Sequence, residues 1–68
     1  MEEYSNSQLR EAVGEFIHNE RDRRLFLKRY EDGSTLEKLA EDFELSVSQV
    51  KRIIKKHYYP VFKHIGKK

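Results

Sequence analysis

Arg52, with Ser48 and Gln49 one helical turn before it, has the side-chain type and spacing that hydrogen-bonds base edges in a duplex groove. A guanidinium donates two parallel bonds to guanine, and a hydroxyl or carboxamide bonds a second base. Lys51, Lys55 and Lys56 stand beside them as point charges suited to phosphate, which gives affinity without sequence choice. If the segment is turned through about 100° per residue, Val50, Ile53, Ile54 and His57 gather within about 60° of one direction. Ser48, Arg52, Lys55 and Tyr59 point the opposite way, flanked by Lys51 and Lys56. The competing reading of such a face is an ordinary solvated helix rich in lysine.

The distribution of charge favours the first reading. Residues 46–68 hold seven Lys/Arg and no Asp or Glu, so the first 45 residues carry 7 − 12 = −5 and the rest +7. A helix that gathers positive charge in this way is suited to lie along a polyanion. The 68 residues contain no Cys, which excludes disulfides and thiolate metal sites and fits a cytoplasmic setting. No apolar run is long enough to span a membrane, and the N-terminus has no signal-peptide pattern. A chain of this length predicts one helical domain over 1–68, too small to spare a substrate pocket. His18, His57 and His64 share no metal-ligand spacing with carboxylates, and there is no Gly-rich phosphate loop, so neither an enzyme, a metal nor a cofactor is expected.

The elements that must hold this face are legible as periodicity and caps. Leu9, Ala12, Val13, Phe16 and Ile17 predict a first helix from about Ser7 to His18, capped by Ser5, Asn6 or Ser7. Asn19 is expected to cap a second, with Glu20 and Asp22 in its first turn, burying some of Leu25, Phe26, Leu27 and Tyr30 and stopped by Gly33. Ser34 and Thr35 compete to cap a third helix. Ser34 is preferred because Glu37 completes a capping box, and Leu36, Leu39, Ala40 and Phe43 form the buried stripe. Ser46 with Gln49 makes another capping box and opens the fourth, which Pro60 is expected to end near Tyr58 or Tyr59. Pro60 could also begin a short fifth element through Val61, Phe62 and Ile65, stopped by Gly66.

The fold class predicted is therefore all-α: a compact domain of four or five helices with a C-terminal helix-turn-helix at about 34–59. Ala40 is the small residue that close crossing of the two helices needs, and Leu39, Phe43, Leu45, Val50 and Ile53 are the apolar residues around the turn. Free amides at the starts of the third and fourth helices, beside Ser34, Thr35 and Ser46, add candidate phosphate contacts to Lys51, Lys55 and Lys56.

The stretch Arg24–Lys56, RLFLKRYEDGSTLEKLAEDFELSVSQVKRIIKK, resembles region four of bacterial sigma factors and related sigma-like helix-turn-helix domains. Lys28-Arg29-Tyr30, Gly33, Thr35 through Glu41, the Leu45-Ser46 turn and Val50-Lys51-Arg52 carry the resemblance. It implies a DNA-reading module, with contacts at Ser48, Gln49, Lys51, Arg52 and Lys55, and a stand-alone small transcriptional regulator of phage or mobile-element type. Similar patterns occur in recombinase and transposase domains. Glu44 stands where many relatives have Gly, and Ser34 where an apolar residue is common.

Double-stranded DNA is thus the expected partner. A module this small reads few base pairs, so a homodimer, RNA polymerase or another regulator is a candidate to share the site. Tyr58, Tyr59, Val61, Phe62 and Ile65 either supply a dimer interface or close the core, and core is preferred. An adaptor is the alternative reading: Glu37, Glu41, Asp42 and Glu44 could face a basic partner in the transcription machinery.

Overall fold

The computed structural model describes residues 4–66 and contains four helices: α1 (Asn6–Phe16), α2 (Glu20–Tyr30), α3 (Leu36–Phe43) and α4 (Val47–Gly66). The all-α class is as expected, and several boundaries differ for physical reasons.

Ser5 caps α1 through a reciprocal box with Gln8, in which Gln8 N–H donates to Ser5 Oγ and Ser5 N–H to Gln8 Oε1. The helix stops at Phe16 rather than His18. The Arg23 guanidinium takes the carbonyls of Ile17 and Gly14, so a side chain from α2 satisfies the end of α1. Asn19 caps α2 as expected, accepting from Asp22 N–H. That helix ends at Tyr30, and Gly33 takes the left-handed conformation (φ 75°) three residues later.

Thr35, not Ser34, caps α3, with Lys38 N–H donating to its Oγ1. The backbone of Ser34 is already engaged: its N–H returns to Lys28 O, and its carbonyl accepts from Arg29 Nη1 at 2.8 Å. A cap residue must offer its own carbonyl to the helix it opens. Thr35 does so, accepting from Leu39 N–H.

The largest correction is in α4, which passes through Pro60 and runs on to Gly66, with no break near Tyr58 and no separate fifth helix. An interior proline removes a hydrogen bond and clashes with the carbonyl four residues back, at a cost of about 3 kcal/mol. Val61, Phe62 and Ile65, on the turns beyond it, are all buried. At roughly 1.5–3 kcal/mol for each large apolar side chain, their burial exceeds that cost. These three close the core, as preferred from the sequence, whereas Tyr58 and Tyr59, grouped with them in that reading, stay exposed. Phe62 is the hub of an aromatic cluster, with ring centroids 4.7 Å from Tyr58, 5.1 Å from Tyr30, 5.4 Å from Tyr4 and 6.0 Å from Phe26. Burial there pushes the Tyr30 phenol above its usual pKa. The remaining core is Leu9, Ala12, Val13 and Ile17 from α1 and its end, Leu25 and Phe26 from α2, Leu39 and Ala40 from α3, and Val50 and Ile54 from α4. Among the described residues, no helix is long and apolar enough to cross a membrane.

Candidate nucleic-acid interface

Two short-range devices set the angle at which α4 leaves α3. The first closes α3: Glu44 adopts a left-handed conformation (φ 58°, ψ 47°), Leu45 N–H returns to Ala40 O at 2.8 Å and Glu44 N–H to Glu41 O at 3.3 Å. This is the paired bonding of a Schellman motif, usually built on glycine. Glu44 therefore bears the strained conformation directly and the turn is not remodelled around it. The second device opens α4. Gln49 N–H donates to Ser46 Oγ at 3.1 Å, and Ser46 N–H donates to Gln49 Oε1 at 2.9 Å, as the spacing predicts.

A longer-range clip holds α4 against the start of α2. His57 Nε2 donates to Asp22 Oδ2 at 3.1 Å, and both side chains are almost fully buried. The other oxygen, Asp22 Oδ1, accepts from Arg21 Nε and a terminal guanidinium nitrogen. Periodicity alone puts His57 on the inner side of α4 and leaves Asp22 as a first-turn acid favoured by the α2 dipole. Two polar residues on core-facing stripes of different helices need one another, because an unpaired buried polar group is costly. That rule is the signal that could have found the pair.

The sequence-derived candidates on α4 are brought together on one side. Ser46, Ser48, Gln49, Lys51, Arg52, Lys55 and Lys56 are all exposed, while Val50, Ile54 and His57 are buried and Ile53 half-buried. Among the described residues, none of Lys51, Arg52, Lys55 and Lys56 takes part in an ion pair. Gln49 is less free than its exposure suggests. Its carboxamide oxygen is held by Ser46, so bidentate reading of adenine would require opening the cap, whereas the side chain of Ser48 is uncommitted.

The two helix starts also differ. Ser46 satisfies Gln49 N–H and leaves the Val47 and Ser48 amides without an intrahelical partner, in a first turn containing no acid. At α3, Thr35 occupies the equivalent place and is exposed, but Glu37 lies in that first turn and opposes an approaching anion. Ser34 is half-buried with its backbone already bonded. A shallow groove runs between the start of α3 and the outer side of α4, with Tyr30, Leu36 and Ile54 among its walls and Lys51 and Lys55 on its rim. The acids of α3 are partly neutralised, since Asp42 lies 3.9 Å from Lys28 Nζ and 3.7 Å from Lys38 Nζ. Glu37, Glu41 and Glu44 remain exposed.

A short helix and a long one joined by a three-residue turn, the second exposing a cationic face, define a helix-turn-helix protein. The family model for sigma-70 region 4 matches residues 19–56, and the chain belongs to that family of helix-turn-helix DNA-binding domains. Double-stranded DNA is the partner this membership supports. The match opens at Asn19, the cap of α2, and closes at Lys56, with α4 continuing through residues 57–66. No curated protein and no solved structure matches the chain.

Proposed function

We propose that the chain is a sequence-specific reader of double-stranded DNA in which α4 occupies the major groove and the bound protein regulates transcription. The observation that carries this reading is the outward face of α4: exposed, cationic, free of acids and free of internal ion pairs among the described residues. Arg52 is assigned to a guanine edge and Ser48 to a neighbouring base, with Gln49 able to join only by releasing its cap. Lys51, Lys55 and Lys56 meet phosphates, as do the amides beside Ser46. The groove at the start of α3 offers apolar walls to a deoxyribose and two ammonium groups to the phosphates on either side of it. Ser34 and Thr35 contribute less, because of Glu37 and the engaged Ser34 backbone.

The exposed Glu37, Glu41 and Glu44 favour a second role for the same domain: docking a basic surface of RNA polymerase or another regulator while α4 holds DNA. Use of the module in recombination is the other context in which the same DNA-reading face would serve.

Selection of bound duplexes from a random pool tests the reading and yields the site. On that site Arg52→Ala is expected to lose about 1–3 kcal/mol of binding and to relax preference at one position. If about five phosphates are neutralised, log K should fall with log salt at a slope near −4.5. Recovery of no enriched sequence, together with a flat salt response, would leave only the docking role.

A further inference from the structure

The matched family segment stops at Lys56, but α4 extends beyond it and its outward stripe does not end there. At about 100° per residue, Tyr59 and Lys63 fall in the same angular sector as Ser48, Arg52 and Lys55. Tyr59 is 66% exposed, and Lys63 Nζ lies 5.2 Å from the centroid of its ring. No acid occurs anywhere from Ser46 to the last residue.

We propose that α4 lies along the major groove rather than entering it end-on, so that Tyr59 and Lys63 hold a phosphate flanking the bases read by Arg52. This rests on the DNA-reading face assigned above and specifies how that face is laid down. With a rise of about 1.5 Å per residue, Tyr59 is about 10 Å and Lys63 about 16 Å farther along the axis than Arg52. A helix entering end-on lifts both away from the duplex by those distances. A helix lying in a groove about 12 Å wide brings the same stripe to the bordering sugar-phosphate chain at this spacing.

The two side chains suit that place. The Tyr59 hydroxyl donates to a phosphate oxygen, and the Lys63 ammonium adds charge from a position already restrained over the ring. A second copy of the chain is a poorer occupant, because face-to-face pairing would bring Lys55, Lys56 and Lys63 against their own equivalents.

The test uses the full chain and the duplex selected from the random pool, with salt titrations and phosphate-ethylation interference. Lys63→Ala is expected to reduce the magnitude of the salt slope by about 0.9, the value of one phosphate, with base preference unchanged. Tyr59→Phe should weaken binding a few-fold and leave the slope in place. Ethylation of the flanking phosphates should interfere with the unaltered protein and no longer with Lys63→Ala. Both residues are exposed, so circular dichroism should show the variants equally helical. An unchanged slope and an unchanged interference pattern for Lys63→Ala, with Arg52→Ala still losing base preference, would overturn the lengthwise placement alone. If Arg52→Ala also changed nothing, the DNA-reading face itself would fall.

Discussion

Residues 19–56 and the segments on either side of them divide the work unequally. The matched segment holds the turn, the caps of α2, α3 and α4 and most of the cationic face, but a minority of the core. Of the thirteen buried apolar residues, Leu9, Ala12, Val13, Ile17, Val61, Phe62 and Ile65 lie outside it, and six lie within. A helix-turn-helix keeps its angle only while both helices rest on something. Here that support is α1 and the far end of α4, so the family's reading unit is stabilised by residues the family pattern does not include.

The sharpest way to break that comparison is Phe62→Ala. It removes the hub of the aromatic cluster six residues beyond the match (62 − 56 = 6), without touching the proposed reading face. Truncating a buried Phe costs about 3–5 kcal/mol. A domain this size holds only about 3–5 kcal/mol of net stability. The expected outcome is loss of the cooperative thermal transition at 25 °C, and with it the helicity of the whole chain, α3 included. A variant that kept a native-like transition would mean the matched segment supports itself.

Next in size is the joint between the two parts. Asp22 lies inside the match and His57 one residue past it. Replacing His57 with Ala leaves Asp22 Oδ2 buried without a partner while Arg21 still holds Oδ1, at a cost of about 1.5–3 kcal/mol for a lost bond to a charged group. In a cycle with Asp22→Ala, the two losses should be non-additive by about 1 kcal/mol or more, read from urea midpoints at constant m. Strict additivity would show the residues stabilising their own helices separately.

What the sequence revealed and what it hid follow from range. The Ser46–Gln49 box, the Asn19 cap and the Ala40–Leu45 turn involve residues at most five apart, and each was readable from local chemistry. The exposed face of α4 was readable for the same reason, since periodicity alone separates Arg52 from Val50. Three features hid because contacts with another helix decide them, however near in the chain that helix lies. Pro60 stays helical because Val61, Phe62 and Ile65 are buried against other helices. Thr35 displaces Ser34 because Arg29 and Lys28 claim the Ser34 backbone. Asp22 meets His57 across 35 residues, a pairing that no local pattern announces. Gln49 shows both sides of this: its cap was predicted, and that same bond restrains the carboxamide expected to read a base.

The smallest effect sharpens the comparison within the matched segment, where the chain departs from its relatives. Glu44 holds a left-handed conformation that costs an L-residue about 1–2 kcal/mol, at a position the resemblance gives to Gly. Glycine would remove that strain but lose more conformational freedom on folding, by roughly 0.5–1 kcal/mol. The net expectation for Glu44→Gly lies between no change and a stabilisation of about 1.5 kcal/mol, several degrees in Tm for a domain this small. Because Glu44 is exposed and makes no hydrogen bond through its side chain among the described residues, packing should not change. Affinity for DNA should rise at low salt, since an acid beside the cationic helix is removed, and the gain should shrink as salt screens it. If stability rises with affinity unchanged, the Glu44 carboxylate points away from the duplex and the acidic edge of α3 faces elsewhere. If stability falls, Glu44 stabilises the turn through a contact that outweighs its strain, and its left-handed geometry is intrinsic to this chain's way of joining α3 to α4.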